Sequence, residues 1–143
     1  MSWLVDTCVL LDILDDDSAF GPASARLIDR LAPEGLEISP VTSMEIAPSF
    51  LGDSERQELF LREIGVSVSS NWDIEALRAA EAAWTKHVTA RRKGLAAKRP
   101  LADVLIGALA LRHDGLVTRN AAGFRRFYPS LRIVESTGQV STP

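Results

Sequence analysis

The chain has 143 residues, 46% apolar and 24% charged, with a formal net charge of −3. That length suits one domain with a sizeable core, and the composition excludes a disordered, collagenous or disulfide-built chain. No apolar stretch is long enough to span a bilayer, the opening Met-Ser-Trp-Leu-Val-Asp lacks the basic region of a secretory leader, and the single Cys8 has no internal partner, so a cytoplasmic protein with a buried, reduced thiol is expected.

Trp3-Leu4-Val5 predicts a first strand buried on both faces, and Thr7 to about Leu14 a helix. Asp15-Asp16-Asp17-Ser18 breaks that helix, and these acids together with Asp12 read as solvated surface. Pro22 suits the first turn of a second helix running to about Leu31. Pro33-Glu34-Gly35 is a turn and Leu36-Glu37-Ile38 a second strand. Helices are expected near Val41–Phe50, kinked or shortened by Pro48, and near Ser54–Ile64, before a third strand at Val66-Ser67-Val68. The longest helical stretch starts near Asp73, is rich in alanine and ends before Gly94. After Pro100 a strongly apolar helix runs to about His113, with Gly115 as its C-cap. Leu116-Val117-Thr118, Ala121–Phe127 and Arg132-Ile133-Val134 read as strand, short helix and strand. Residues 1–136 make one domain, and residues 137–143 a loose polar tail.

Short buried strands alternating with helices imply a mostly parallel sheet of about five strands covered on both faces, the three-layer α/β/α class. Ligands of such sheets bind beyond the carboxyl ends of the strands, where strand order reverses. The polar residues to inspect are therefore Asp6-Thr7, the stretch Ser39–Glu45, and Thr118-Arg119-Asn120.

Each acid there has a plain structural role open to it. Asp6 precedes a helix and can cap it, unless Thr7 is the cap and Asp6 faces the crevice. Glu45 completes a capping box with Thr42, unless Ser39 caps a helix whose first turn holds Pro40, which places Glu45 beyond the capping position. Asp103 suits the positive end of the apolar helix, yet it shares a face with Ile106, Gly107 and Ala110, where a charge needs a partner or a metal. Asn120 opens a short helix as an N-cap. His87 and His113 lack metal-ligand spacing, and phosphate-binding glycine loops are absent. Trp72, Trp84 and Phe60 read as core or interface residues rather than base-stacking platforms. Carboxylates that converge without histidine or thiolate suit a hard cation, Mg²⁺ or Mn²⁺, which can activate water against a phosphodiester.

Charge is unevenly spread. Residues 1–75 carry 15 acids and 4 bases, whereas residues 76–143 carry 4 acids and 12 bases. The stretch Lys86–Arg99 holds six cations and no acid, and precedes the helix that carries Asp103. It reads either as a phosphate-holding rim, with Arg91, Arg92, Lys93, Lys98 and Arg99 as contacts, or as a solvated helix end.

Leu-Val-Asp-Thr-Cys-Val-Leu-Leu-Asp-Ile-Leu resembles the first motif of PIN-domain ribonucleases, specifically the VapC-type toxins of bacterial toxin–antitoxin modules. Ser-Met-Glu-Ile-Ala resembles the second, Pro-Leu-Ala-Asp-Val-Leu-Ile-Gly-Ala-Leu-Ala the third and Leu-Val-Thr-Arg-Asn-Ala-Ala-Gly-Phe the fourth. The four lie in the family's order over nearly the whole chain. Two departures stand out: Cys8 occupies a place commonly held by asparagine, and Asn120 and Gly123 occupy the two places where the fourth motif often carries an aspartate. The resemblance implies Asp6, Glu45 and Asp103 as catalytic and metal-binding residues, Asn120 as a neutral fourth corner, and Thr7 and Thr118 in support. It further implies Mg²⁺- or Mn²⁺-dependent cleavage of RNA, a homodimer and inhibition by a cognate VapB-type antitoxin. A PIN fold that binds RNA or its partner without cutting is the alternative, and the missing fourth acid motivates it.

Overall fold

The computed structural model describes residues 2–92, 100–136 and 140–141, and of residues 91, 92, 140 and 141 the backbone alone. Its parallel strands are three or four residues long: β1 (Trp3–Val5), β2 (Leu36–Ile38), β3 (Val66–Val68), β4 (Gly115–Thr118) and β5 (Ile133–Glu135). The central strands β1 and β4 are buried at every position, whereas the edge strand β3 buries only Val66. Along β1, Trp3 and Val5 enter one core while Leu4 enters the other. The first core gathers Leu27, Ile28, Ile38, Ile46 and Phe50 under α1 (Thr7–Leu14), α2 (Gly21–Leu31), α3 (Pro40–Ile46) and α4 (Ser54–Glu63). The second gathers Ile106, Leu109, Leu116, Phe124 and Ile133 beneath α5 (Ile74–Arg92), α6 (Leu101–Ala110) and α7 (Ala121–Phe127). Helices thus cover both faces, as the alternating pattern predicts. Phe60 packs on the first core, and Trp72 and Trp84 on the second.

With a sixth strand at Val140–Ser141 (β6), the strand order is β3-β2-β1-β4-β5-β6, parallel except at the last pair. The sixth strand pairs antiparallel with β5 and corrects the expectation of a loose tail there. A two-residue strand at an edge leaves no period to read in a sequence. From β1 the chain moves outward through β2 and β3, then returns to β4 on the other side of β1. The crevice where the order reverses therefore opens between the carboxyl ends of β1 and β4.

Helix ends follow the local chemistry. Ser39 Oγ accepts from Val41 N at 3.0 Å and caps α3, with Pro40 in its first turn. Thr42 is therefore interior and the capping-box reading of Glu45 does not hold. Pro48 ends α3 at Ile46, and Ala47–Phe50 continue as a 3-10 turn. Within α6, Gly107 lies flat against Tyr128: an added Cβ would stand 2.4 Å from the ring. The Tyr128 hydroxyl donates to Val104 O at 2.6 Å, so the ring cannot simply swing away. Gly107→Ala is expected to destabilise the fold by about 1–3 kcal/mol through overpacking, despite alanine's better helix propensity. Denaturant melts of the two proteins check this, and an unchanged midpoint would show that α6 and α7 slide apart freely.

Candidate metal centre

Asp6 closes β1 and is also the N-cap of α1, with φ −74° and ψ 151°. Its two oxygens divide the work. Oδ1 accepts from Thr7 N at 2.8 Å. Oδ2 accepts from Thr118 Oγ1 at 2.7 Å and from Cys8 Sγ at 3.2 Å. Thr118 ends β4, so this bond ties together the two strands that flank the crevice. Capping and facing the crevice are not alternatives here: Asp6 does both, and Thr7 is not the cap.

Thr7, freed from capping, turns its hydroxyl across to α3. Thr7 Oγ1 donates to Glu45 Oε1 at 2.8 Å and lies 3.0 Å from Thr42 Oγ1. Glu45 is otherwise exposed, and this bond aims its carboxylate at the same crevice. Asp103 arrives from the opposite side, in the first turn of α6, half-buried. Among the described residues no hydrogen bond reaches it. Asp6, Glu45 and Asp103 line one open cleft of about 520 Å³ with Thr7, Cys8, Leu11, Arg119 and Asn120.

The electrostatics register the crowding. Burial holds Asp6 above the usual carboxylate range, opposed by its hydrogen bonds from Thr118, Cys8 and Thr7, and Glu45 adds repulsion. Burial pushes Asp103 up to about 6, and the charges of Asp6 and Glu45 push in the same direction. Burial and the neighbouring Asp6 push the Cys8 thiol up to about 12. Cys8 is therefore a protonated donor rather than a nucleophile. It was expected as a core thiol and instead lines the cleft.

Asn120 reaches the cleft rim as the N-cap of α7, where its Oδ1 accepts from Gly123 N at 3.3 Å. An added Cβ at Gly123 would stand 2.4 Å from the Asn120 amide. The cap thus needs glycine at 123, one of the two places where an aspartate was missed. Arg91 and Arg92 end α5 with side chains outside the described residues, and Lys93, Lys98 and Arg99 lie outside them altogether.

One assignment reverses. Asp12 is not solvated surface but 4% exposed, because Arg119 reaches it from beyond β4 with Nε–Oδ2 2.9 Å and Nη2–Oδ1 3.0 Å. The two are 107 positions apart in sequence. Arg119 was among the crevice residues to inspect but was given no role there, and it lines the cleft.

The donor set is all oxygen, which matches a hard cation rather than zinc or copper. Among the described residues, no three His, Cys, Asp or Glu side chains are gathered closely enough to clasp an ion by themselves. That spacing still fits Mg²⁺, which keeps several of its waters and takes only one or two carboxylates directly.

The comparisons agree with this architecture. The chain of a crystal structure of VapBC2 from Rickettsia felis bound to a DNA fragment from their promoter superposes with a TM-score of 0.58 at 17% sequence identity. The match covers 94% of this chain and 98% of that one, so the fold is shared across the whole domain. A search of curated proteins returns no match. The PIN domain profile matches residues 3–128, which include every residue of the cleft named above. The chain belongs to the PIN domain family, whose members are generally nucleases.

Proposed function

We propose that this protein is a metal-dependent endoribonuclease, the toxin of a toxin–antitoxin pair, that cleaves single-stranded or structured RNA. The observation that carries the reading is the convergence of Asp6, Glu45 and Asp103, from three separate elements, on the crevice of a PIN fold. Asp6 and Asp103 would hold Mg²⁺ or Mn²⁺, with Glu45 beside them and the neutral Asn120 oxygen at the rim. When bound, the ion lowers the pKa of a water and stabilises charge on the phosphodiester oxygens. Thr118 and Cys8 fix the orientation of the Asp6 carboxylate by donating to one oxygen of it. Thr7 fixes Glu45. Three acids in one cleft repel one another, and a divalent cation relieves that repulsion.

Thr7→Val keeps the shape of the side chain and removes the donor. Cleavage is expected to fall by about 10–100-fold, the usual cost of losing an outer support of a metal ligand, with little change in melting temperature. Equal rates for the two proteins would mean that Glu45 needs no such support.

RNA carries its negative charge into an acidic cleft, so cations must meet its backbone. The stretch Lys86–Arg99, directly ahead of α6 in sequence, would supply them through Arg91, Arg92, Lys93, Lys98 and Arg99. A VapB-type antitoxin follows from the same reading, supported by the similar fold found in VapBC2, and a homodimer is what the family resemblance implies. The test is incubation of purified protein with single-stranded RNA under Mn²⁺, Mg²⁺ or chelator. Cleavage that needs the ion supports the proposal, and none under any condition opposes it.

A second reading, a PIN fold that binds RNA or its partner without cutting, is favoured by the neutral Asn120 and by the absence of a ready-made three-donor clasp among the described residues. RNA binding unaltered by chelator and without cleavage would establish it.

A further inference from the structure

We infer that Arg119 is a fixed phosphate-binding residue at the rim of this cleft, clamped in place by Asp12 and Phe20. The inference rests on the nuclease reading and extends it. Asp12 takes the Nε and Nη2 edge of the guanidinium in a two-point pair. The Phe20 ring covers one face, 4.5 Å from the guanidinium carbon. A guanidinium has five N–H donors, and Asp12 occupies two of them, so the Nη1 edge is left for a third group.

The exposure of the pair is lopsided. The Asp12 side chain is 4% exposed and the Arg119 side chain 38%, so the cation is the partner that meets solvent. It meets it in a cleft whose other charged lining residues are Asp6, Glu45 and Asp103. Arg119 is therefore the cation of the described lining, between Thr118, which holds Asp6, and Asn120 at the rim. An untethered arginine beside three carboxylates would fold onto them. The clamp from Asp12 and Phe20 keeps it aimed elsewhere and removes the rotamer entropy that a phosphate contact would otherwise cost. A bridge needed only for stability would not have to place its cation on this wall.

The ligand class is the phosphodiester of a single strand, adjacent to the one being cut. The test is fluorescence anisotropy of a mixed-sequence, single-stranded RNA 20-mer across a range of salt. Wild type is compared with Arg119→Gln and with the double variant Asp12→Asn/Arg119→Gln. The double variant matters because it leaves no buried charge unpaired and so protects the fold. Both are expected to bind about 10-fold more weakly than wild type, with a salt slope shallower by about 0.7, the loss of one phosphate contact on a single strand. Under Mn²⁺, KM should rise more than kcat falls. A double variant that melts like wild type and keeps its affinity and salt slope overturns the inference and leaves the nuclease reading standing. Wild type that neither binds nor cleaves RNA overturns both.

Discussion

Asp103→Asn is expected to abolish metal-dependent RNA cleavage, with a loss of about 10³-fold or more, while the protein stays folded. Loss of an outer support alone costs about 10–100-fold, and Asp103 is proposed to touch the ion itself. Asp6→Asn should give a loss of the same order. Asparagine retains an acceptor for Thr7 N, so the cap of α1 survives, while its amide NH2 takes the place of the oxygen that accepts from Thr118 and Cys8, and the thermal melt reads what that exchange costs. Asp6→Ala is a poorer test. It removes the cap and leaves the hydroxyl of Thr118 without its acceptor in a buried place, at a cost of about 2–4 kcal/mol in stability. The check is a rate of RNA cleavage under saturating Mn²⁺ beside a thermal melt of each variant. Full activity in either asparagine variant would remove that residue from the site.

The second large effect is on stability, and its sign is opposite. Asp103 has its folded pKa raised from 3.8 to about 6 by burial and by two neighbouring acids. The metal-free folded protein therefore holds this proton more tightly than the unfolded chain does. The associated stability is present below pH 4, is lost as pH rises from 4 to 6, and is absent at neutral pH. A shift of this size corresponds to about 3 kcal/mol for a fully buried group. Half-exposure and solvent screening reduce it to about 1–2 kcal/mol. Asp103→Asn should accordingly raise the metal-free melting temperature at pH 7 by about 4 °C, and by much less at pH 4. Melts at the two pH values check it. A fall in melting temperature at pH 7 would show that Asp103 is stabilised by partners rather than strained. A site that gains stability when its acid is neutralised is one whose repulsion a bound cation would relieve.

How far a sequence discloses such a site depends on whether its cause is local. The central strands β1 and β4 were legible because a strand covered on both faces needs an apolar run, and Trp3-Leu4-Val5 and Leu116-Val117-Thr118 provide one, whereas β2 and β3 showed as the alternations Leu36-Glu37-Ile38 and Val66-Ser67-Val68. The place of Asp103 on the cleft side was legible because it shares a helix face with Ile106, Gly107 and Ala110, although the positive end of α6 also suits an acid there. Glu45 was ambiguous until Ser39 proved to be the cap of α3, a choice between two adjacent hydroxyl residues that composition does not decide. Asp12 was misread for a different reason. Its partner Arg119 comes from the far side of the sheet switch, and no period or spacing links positions so distant. Cys8 was misplaced because its neighbours are apolar, although the second position of a helix that starts at a strand end turns toward the crevice. The small β6 was missed because a two-residue strand at an edge, Val140-Ser141, is too short to show a period and is held by pairing with β5.

The cleft also shows what stands at the fourth motif, where the resemblance led to the expectation of an aspartate. Asn120 retains the backbone role of an acid at that place by capping α7. What it gives up is charge, and metal affinity is where that loss would be felt.

Titration of Mn²⁺ into the metal-free protein by calorimetry therefore tests the account most directly. Saturable binding is predicted at pH 7, weakening with proton release as pH falls through 6, and lost in Asp6→Asn and Asp103→Asn. No saturable binding to wild type, even with single-stranded RNA present, would contradict it.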